Sequence, residues 1–135
     1  MGKEECIFCK LLRDSPHKII AQNNTFFAIY DEFPVSRGHA LLIPKRHVES
    51  FFDITKEELD DLFELIKKVK EIVDKEFNPD GYNIGVNEGR AAGKTIDHLH
   101  IHLIPRYEGD VENPVGGVRN VIPGKSDYMK LAGKK

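Results

Sequence analysis

His98-Leu99-His100-Ile101-His102-Leu103-Ile104-Pro105-Arg106 sets three imidazoles in strict alternation with aliphatic residues. A period of two is the period of a strand, so the three histidines are expected on one face while Leu99, Ile101 and Leu103 enter a core. Same-face neighbours on a strand stand about 6.6–6.8 Å apart. Three basic aromatic groups in register are poor packing material. They point to a chemical surface, against the plainer readings of a solvated strand face or a metal patch.

Working outward, a Gly-rich loop over residues 88–95 precedes this strand, and before it Tyr82, Ile84 and Val86 alternate as another. Thr55-Lys56-Glu57-Glu58 has capping-box spacing and opens the one long helix. Its apolar residues Leu59, Leu62, Phe63, Ile66, Val69, Ile72 and Val73 recur at three and four, which predicts a single stripe. Asn78-Pro79-Asp80-Gly81 stops it. Residues 39–44 read as a strand, as do 18–21 and 26–30 around the polar turn Gln22-Asn23-Asn24. Residues 7–12 read as a short apolar segment of one or two helical turns, ended by Asp14-Ser15-Pro16. Strands mostly follow strands, so the fold class is α+β, with an antiparallel sheet of about five strands, one long helix and a short N-terminal helix. One domain is expected over residues 1–135, with a core at 6–106 and a Gly- and Pro-rich arm at 107–135 whose residues 118–122 read as extended.

The 135 residues, 40% hydrophobic and 31% charged with net charge -2, describe an ordinary globular domain. That balance argues against a dedicated nucleic-acid or anionic-membrane binder. No apolar run approaches a membrane span, and Met1-Gly2-Lys3-Glu4-Glu5 lacks the apolar stretch of a signal peptide. Gly2 fails as a myristoylation site, because Cys6 stands where that motif wants Ser or Thr. The expectation is a cytoplasmic protein. Gly89-Arg90-Ala91-Ala92-Gly93-Lys94-Thr95 imitates a P-loop but has three residues between its glycines where four are needed, and a strand follows where a helix should.

His98-Leu99-His100-Ile101-His102-Leu103-Ile104 resembles, in full, the motif of the histidine-triad (HIT) superfamily, in which three histidines alternate with hydrophobic residues. Asp31 eight residues before His39, the run Gly38-His39-Ala40-Leu41-Leu42-Ile43-Pro44, and Asn87-Glu88-Gly89 match further landmarks, so the resemblance spans roughly residues 6–106. It implies a nucleotide hydrolase or nucleotidyl transferase acting at the α-phosphate, a small-molecule nucleotide partner, a homodimer and no organic cofactor. By the same resemblance His100 is the nucleophile, oriented by the backbone carbonyl of His98. His102 and His39 donate to phosphate oxygens, and Asn87 and Thr95 contact the phosphate or leaving group. Asp31 accepts from the ribose hydroxyls, and Phe8, Ile29 and Leu42 are base-pocket candidates. The chemistry is sound in itself: imidazole is largely neutral at pH 7, so it is a usable nucleophile, and its bond to phosphorus is labile.

Lys94 departs from the family's usual Gly-Gln-Ser/Thr and brings an ammonium beside the leaving group if it points inward. Cys6-Ile7-Phe8-Cys9 by itself reads as a redox pair, half a zinc site or two buried thiols. Only five residues precede it, too few for the strand a redox motif needs. The resemblance, to small microbial members and galactose-1-phosphate uridylyltransferase relatives, implies a structural zinc held by Cys6, Cys9, His47 and His98. Two function classes follow: a hydrolase of phosphoramidates, adenylates or dinucleoside polyphosphates (a phosphorylase being its variant), and a nucleotide-binding regulatory module with slow turnover.

Overall fold

Phe26-Phe27-Ala28-Ile29-Tyr30 and Ala40-Leu41-Leu42-Ile43-Pro44 are apolar on both faces, which demands cover on both sides of the sheet they build. A computed structural model describing residues 6–131 and 133 supplies it. Strands β1 (Ile19–Gln22), β2 (Phe26–Tyr30), β3 (Ala40–Pro44), β4 (Gly81–Gly85) and β5 (Ile101–Arg106) form one sheet in the order β1-β2-β3-β5-β4. Every pairing is antiparallel. The signal-peptide and myristoylation readings concern residues 1–5, outside the described residues. Among those described, no helix is long and apolar enough to cross a membrane.

Helix α2 (Lys56–Phe77) covers one face. Thr55 accepts from the Glu58 amide and Glu58 accepts from the Thr55 amide, completing the capping box. Asn78, at φ 51°, ends the helix in the left-handed conformation that asparagine tolerates. The buried stripe is Leu62, Leu65, Val69 and Val73, packed on Phe26, Ala28, Leu42, Ile101 and Leu103. This corrects the broader stripe: Leu59 and Phe63 are 44% and 59% exposed. A flat sheet covers only about a 100° sector of a helix, and these two lie beyond it.

The opposite face, with Phe27, Ile29, Leu41 and Ile43, packs on Cys6 and Phe8, the latter from helix α1 (Ile7–Asp14). Past β5 the arm differs from the extended stretch expected: residues Gly117–Val121 form a 3-10 helix. Gly116 allows it. Its φ is 90°, and a Cβ there would meet the Ser126 carbonyl oxygen at 1.8 Å.

Candidate functional site

Register sets the floor. Ile29 pairs with Leu41, and Leu41 with His102, so one row across β2, β3 and β5 runs from aliphatic to imidazole on the face opposite α2. Above it lies a cavity of about 750 Å³, ample for a nucleotide. Ile7, Phe8 and Leu11 of α1 form an apolar wall, while Asp31, Asn87, Lys94, Thr95, His100 and His102 bring the polar groups. Leu42 is not among them. It is fully buried against α2, one residue out of phase, and Leu41 occupies the place expected of it. The 2-residue period flips every assignment made one position off. Only the cross-strand pairing of Leu41 with His102, which the sheet supplies, places Leu41 there. Ile7 and Leu11 are i, i+4 neighbours, a helical signal also present in the chain. His17 is exposed and borders the cavity.

The three histidines share the α1 side: His98 meets Cys6 and Phe8, Phe8 also meets His100, and His100 meets His102, while Leu99, Ile101 and Leu103 enter the core under α2. The regular ladder opens at Ile101, and before it the Leu99 amide donates to the Val48 carbonyl (2.8 Å). His98 is fully buried beside the two cysteines, while His100 and His102 line the cavity. Burial holds His98 and His102 down at about 4, and lowers His39 as well.

Hydrogen bonds to groups of one polarity fix the ring nitrogens. His100 Nδ1 lies 2.8 Å from the His98 carbonyl. A carbonyl only accepts, so Nδ1 carries the proton and Nε2 is bare toward the cavity. His98 Nε2 lies 2.8 Å from the Pro44 carbonyl, which likewise leaves its Nδ1 bare. His98 Nδ1 stands 3.2 Å from Cys6 Sγ, 3.6 Å from Cys9 Sγ and 3.2 Å from His47 Nδ1, with Cys9 Sγ to His47 Nδ1 at 3.4 Å. The four ligand atoms all lie within 4.8 Å of one another, spaced as a tetrahedral site for a metal ion would require. The donor set fits zinc. The site is closed, with four protein ligands and none left over for substrate.

Asp31 follows β2. Its Oδ1 accepts from the Phe33 amide (2.8 Å), turning the chain, and its Oδ2 stands 3.5 Å from His39 Nε2. Asp31 therefore both turns the chain and lines the cavity. His39, only 3% exposed, sits behind His102. Lys94 is half-buried at the cavity edge, and its ammonium donates to the Glu49 carbonyl, so it does not stand in open solvent.

A histidine run feeding an inner strand of an antiparallel sheet, beside a nucleotide-sized cavity, defines the histidine-triad class. Residues 13–109 match the HIT domain family, and the chain belongs to it. It is similar to an uncharacterized HIT-like protein of Methanocaldococcus jannaschii, 42% identical over 86% of this chain and 91% of that one. It also resembles the bis(5'-adenosyl)-triphosphatase of Dictyostelium discoideum (40% identical, 76% and 68% covered) and the adenosine 5'-monophosphoramidase of Schizosaccharomyces pombe (39%, 75% and 74%). Among solved structures, a zinc-bound histidine triad family protein from Mycobacterium smegmatis superposes with a TM-score of 0.72 at 33% identity, covering 81% of this chain and 80% of that one.

Proposed function

We propose that the protein is a nucleotide hydrolase that cleaves at the α-phosphate of a nucleoside phosphoramidate, adenylate or dinucleoside polyphosphate, through a nucleotidyl-His100 intermediate. The observation that carries this is the bare Nε2 of His100 facing the cavity, held there by the His98 carbonyl. Nε2 forms the bond to phosphorus as the bond to the leaving group breaks and its electron pair departs with that group, which takes up a proton from water where it is an amine. Water then displaces His100, releasing a nucleoside monophosphate and a proton and restoring neutral imidazole. His102 donates to a phosphate oxygen, with Asn87 and Thr95 beside it. Asp31 Oδ2 accepts from ribose, and the base lies among Phe8, Ile29 and Leu41. Relatives named as a triphosphatase and a phosphoramidase support the reaction class. Lys94 lines the cavity while its ammonium donates to the Glu49 carbonyl; turned from that carbonyl toward the leaving group, it would favour groups that depart as anions.

Zinc at Cys6, Cys9, His47 and His98 is the metal the donor set supports, and when bound it would supply a structural cross-link between α1 and the catalytic segment. The protein is read as a homodimer. Strand β4 pairs on one side only, and Leu59, Phe63 and Ile84 on the helix-bearing side are exposed, as are Val118, Val121 and Ile122 of the arm. The test of function is a mass spectrum of protein quenched during turnover of diadenosine triphosphate. A nucleotidyl adduct on His100, absent in His100→Asn, is expected. Unmodified protein under turnover, or a His100→Asn variant with more than a few per cent of the wild-type kcat, refutes the assignment.

A further inference from the structure

Phe33 is 82% exposed, yet its side chain lines the cavity that holds His100 and His102. A single apolar side chain at a surface is ordinary. This one stands out in how its backbone is held. The Phe33 amide donates to Asp31 Oδ1 at 2.8 Å and the Val35 amide to His39 Nδ1 at 3.1 Å. The Ser36 hydroxyl donates to the Pro105 carbonyl at 2.7 Å, and the Tyr107 hydroxyl to the Arg37 carbonyl at 2.7 Å. A loop free to relax would fold a phenyl ring against apolar surface and release its hydration water. An anchored loop keeps the ring in water, where a ligand can cover it. Glu32 and Lys18, which also line the cavity and are exposed, are charged and keep their own water.

From this placement we infer that Phe33 is a specificity-determining residue: its ring stacks on the nucleobase of the bound nucleotide, so that the site separates nucleotides from sugar phosphates that lack a base. Asp31 identifies the occupant. Its Oδ1 is engaged by the Phe33 amide, while its Oδ2 is the atom assigned above to the ribose hydroxyls. A nucleobase is bonded to the ribose carbon next to the one that carries the 2′-hydroxyl. One carboxylate therefore sets both the sugar and the backbone of the residue that meets the base.

Ile29 and Leu41 give the base an aliphatic surface, which excludes water without favouring a flat ring. A phenyl ring adds a π-face contact that any base can use. The backbone is ordered before the ligand arrives, so stacking costs the rotamer freedom of one side chain. The base takes no part in the bond changes at phosphorus. The contact therefore stabilises bound substrate and transition state alike, and acts on binding rather than on the chemical step.

The inference deepens the proposed hydrolase and rests on its orientation of the nucleotide, and AMP, which need not be turned over, tests it without the reaction. In titration calorimetry Phe33→Ala should raise the Kd of AMP about 5- to 150-fold, the range of one base–aromatic stack. The Kd of ribose 5-phosphate should stay within about twofold, and so should kcat on diadenosine triphosphate while KM rises. The ring is exposed, so Phe33→Ala should keep the wild-type Tm. The chain has no tryptophan, so Phe33→Trp installs a lone indole, whose fluorescence AMP should quench and ribose 5-phosphate should not. Equal AMP binding by wild type and Phe33→Ala, an equal loss for ribose 5-phosphate, or an indole that AMP leaves unchanged would each overturn the inference while leaving the hydrolase standing. A Phe33→Ala protein that sediments as a monomer where the wild type is a dimer would assign the ring to an interface between copies and overturn it too. Wild-type protein that binds no AMP at millimolar concentration would instead overturn the nucleotide reading itself, and the stack with it.

Discussion

Glu58 joins the helix cap to the segment that bears His47, and replacing it tests both. One carboxylate oxygen accepts from the Thr55 amide (2.9 Å) and from Arg46 Nη2 (2.8 Å), and the other from Arg46 Nε (3.0 Å). The Arg46 guanidinium, foremost, holds the carboxyl at about 2 against an ordinary 4.5. Taken whole, that difference corresponds to about 3 kcal/mol. Glu58 is nearly buried, but Arg46 is half exposed and solvent screens the pair, so about 2 kcal/mol is the expected loss in Glu58→Gln at pH 7. Glutamine can keep the Thr55 bond but turns an N–H toward the Arg46 Nε–H, so the fork is lost rather than weakened. For 135 residues this is about 6–10 °C in Tm. The sign follows from the depressed value: the stabilisation is complete above about 4.5 and disappears as pH falls through about 2. Urea unfolding of both proteins at one protein concentration should therefore show the difference shrinking by more than half between pH 7 and pH 3. A loss below about 0.5 kcal/mol at pH 7, or one that does not change with pH, refutes the reasoning.

Purified protein should contain about one zinc per chain, and Cys6→Ser should lose it and lower Tm, since an eight-residue helix such as α1 is too short to persist undocked; a metal-free protein whose Tm does not rise on adding zinc removes the site. The same variant should weaken nucleotide binding in titration calorimetry, because Phe8 packs at 5.2 Å from the His100 ring only while α1 is docked. Lys94→Gln should lower kcat/KM for diadenosine tetraphosphate about 5- to 150-fold more than for adenosine phosphoramidate, the range of a partly shielded ion contact, and an unchanged ratio between the two substrates would mark Lys94 as a bystander. Sedimentation should give a dimer at micromolar concentration, with Phe63→Glu shifting it to monomer; a wild-type monomer there would count against the exposed face as an interface.

The sequence by itself determined the elements and the chemical repertoire. Strict alternation at residues 98–106 announced a strand bearing imidazoles, and Thr55 with Glu58 announced the start of α2, because both signals are local and depend on neighbours two to four residues apart. Cys6, Cys9, His47 and His98 could be proposed together only through resemblance; the chain alone does not say that residues 92 positions apart come within 3.2 Å. Tertiary structure decided the rest. His98 shares its face with His100 and His102 but is buried against Cys6 and Phe8 because α1 packs over it, and Leu42 exchanged roles with Leu41 because strand register is set across the sheet. Leu59 and Phe63 turned out exposed because α2 meets a flat surface narrower than its apolar arc. The tautomers of His98 and His100 belong to the same category: a neutral imidazole has two places for one proton, and the carbonyls packed against these rings choose between them.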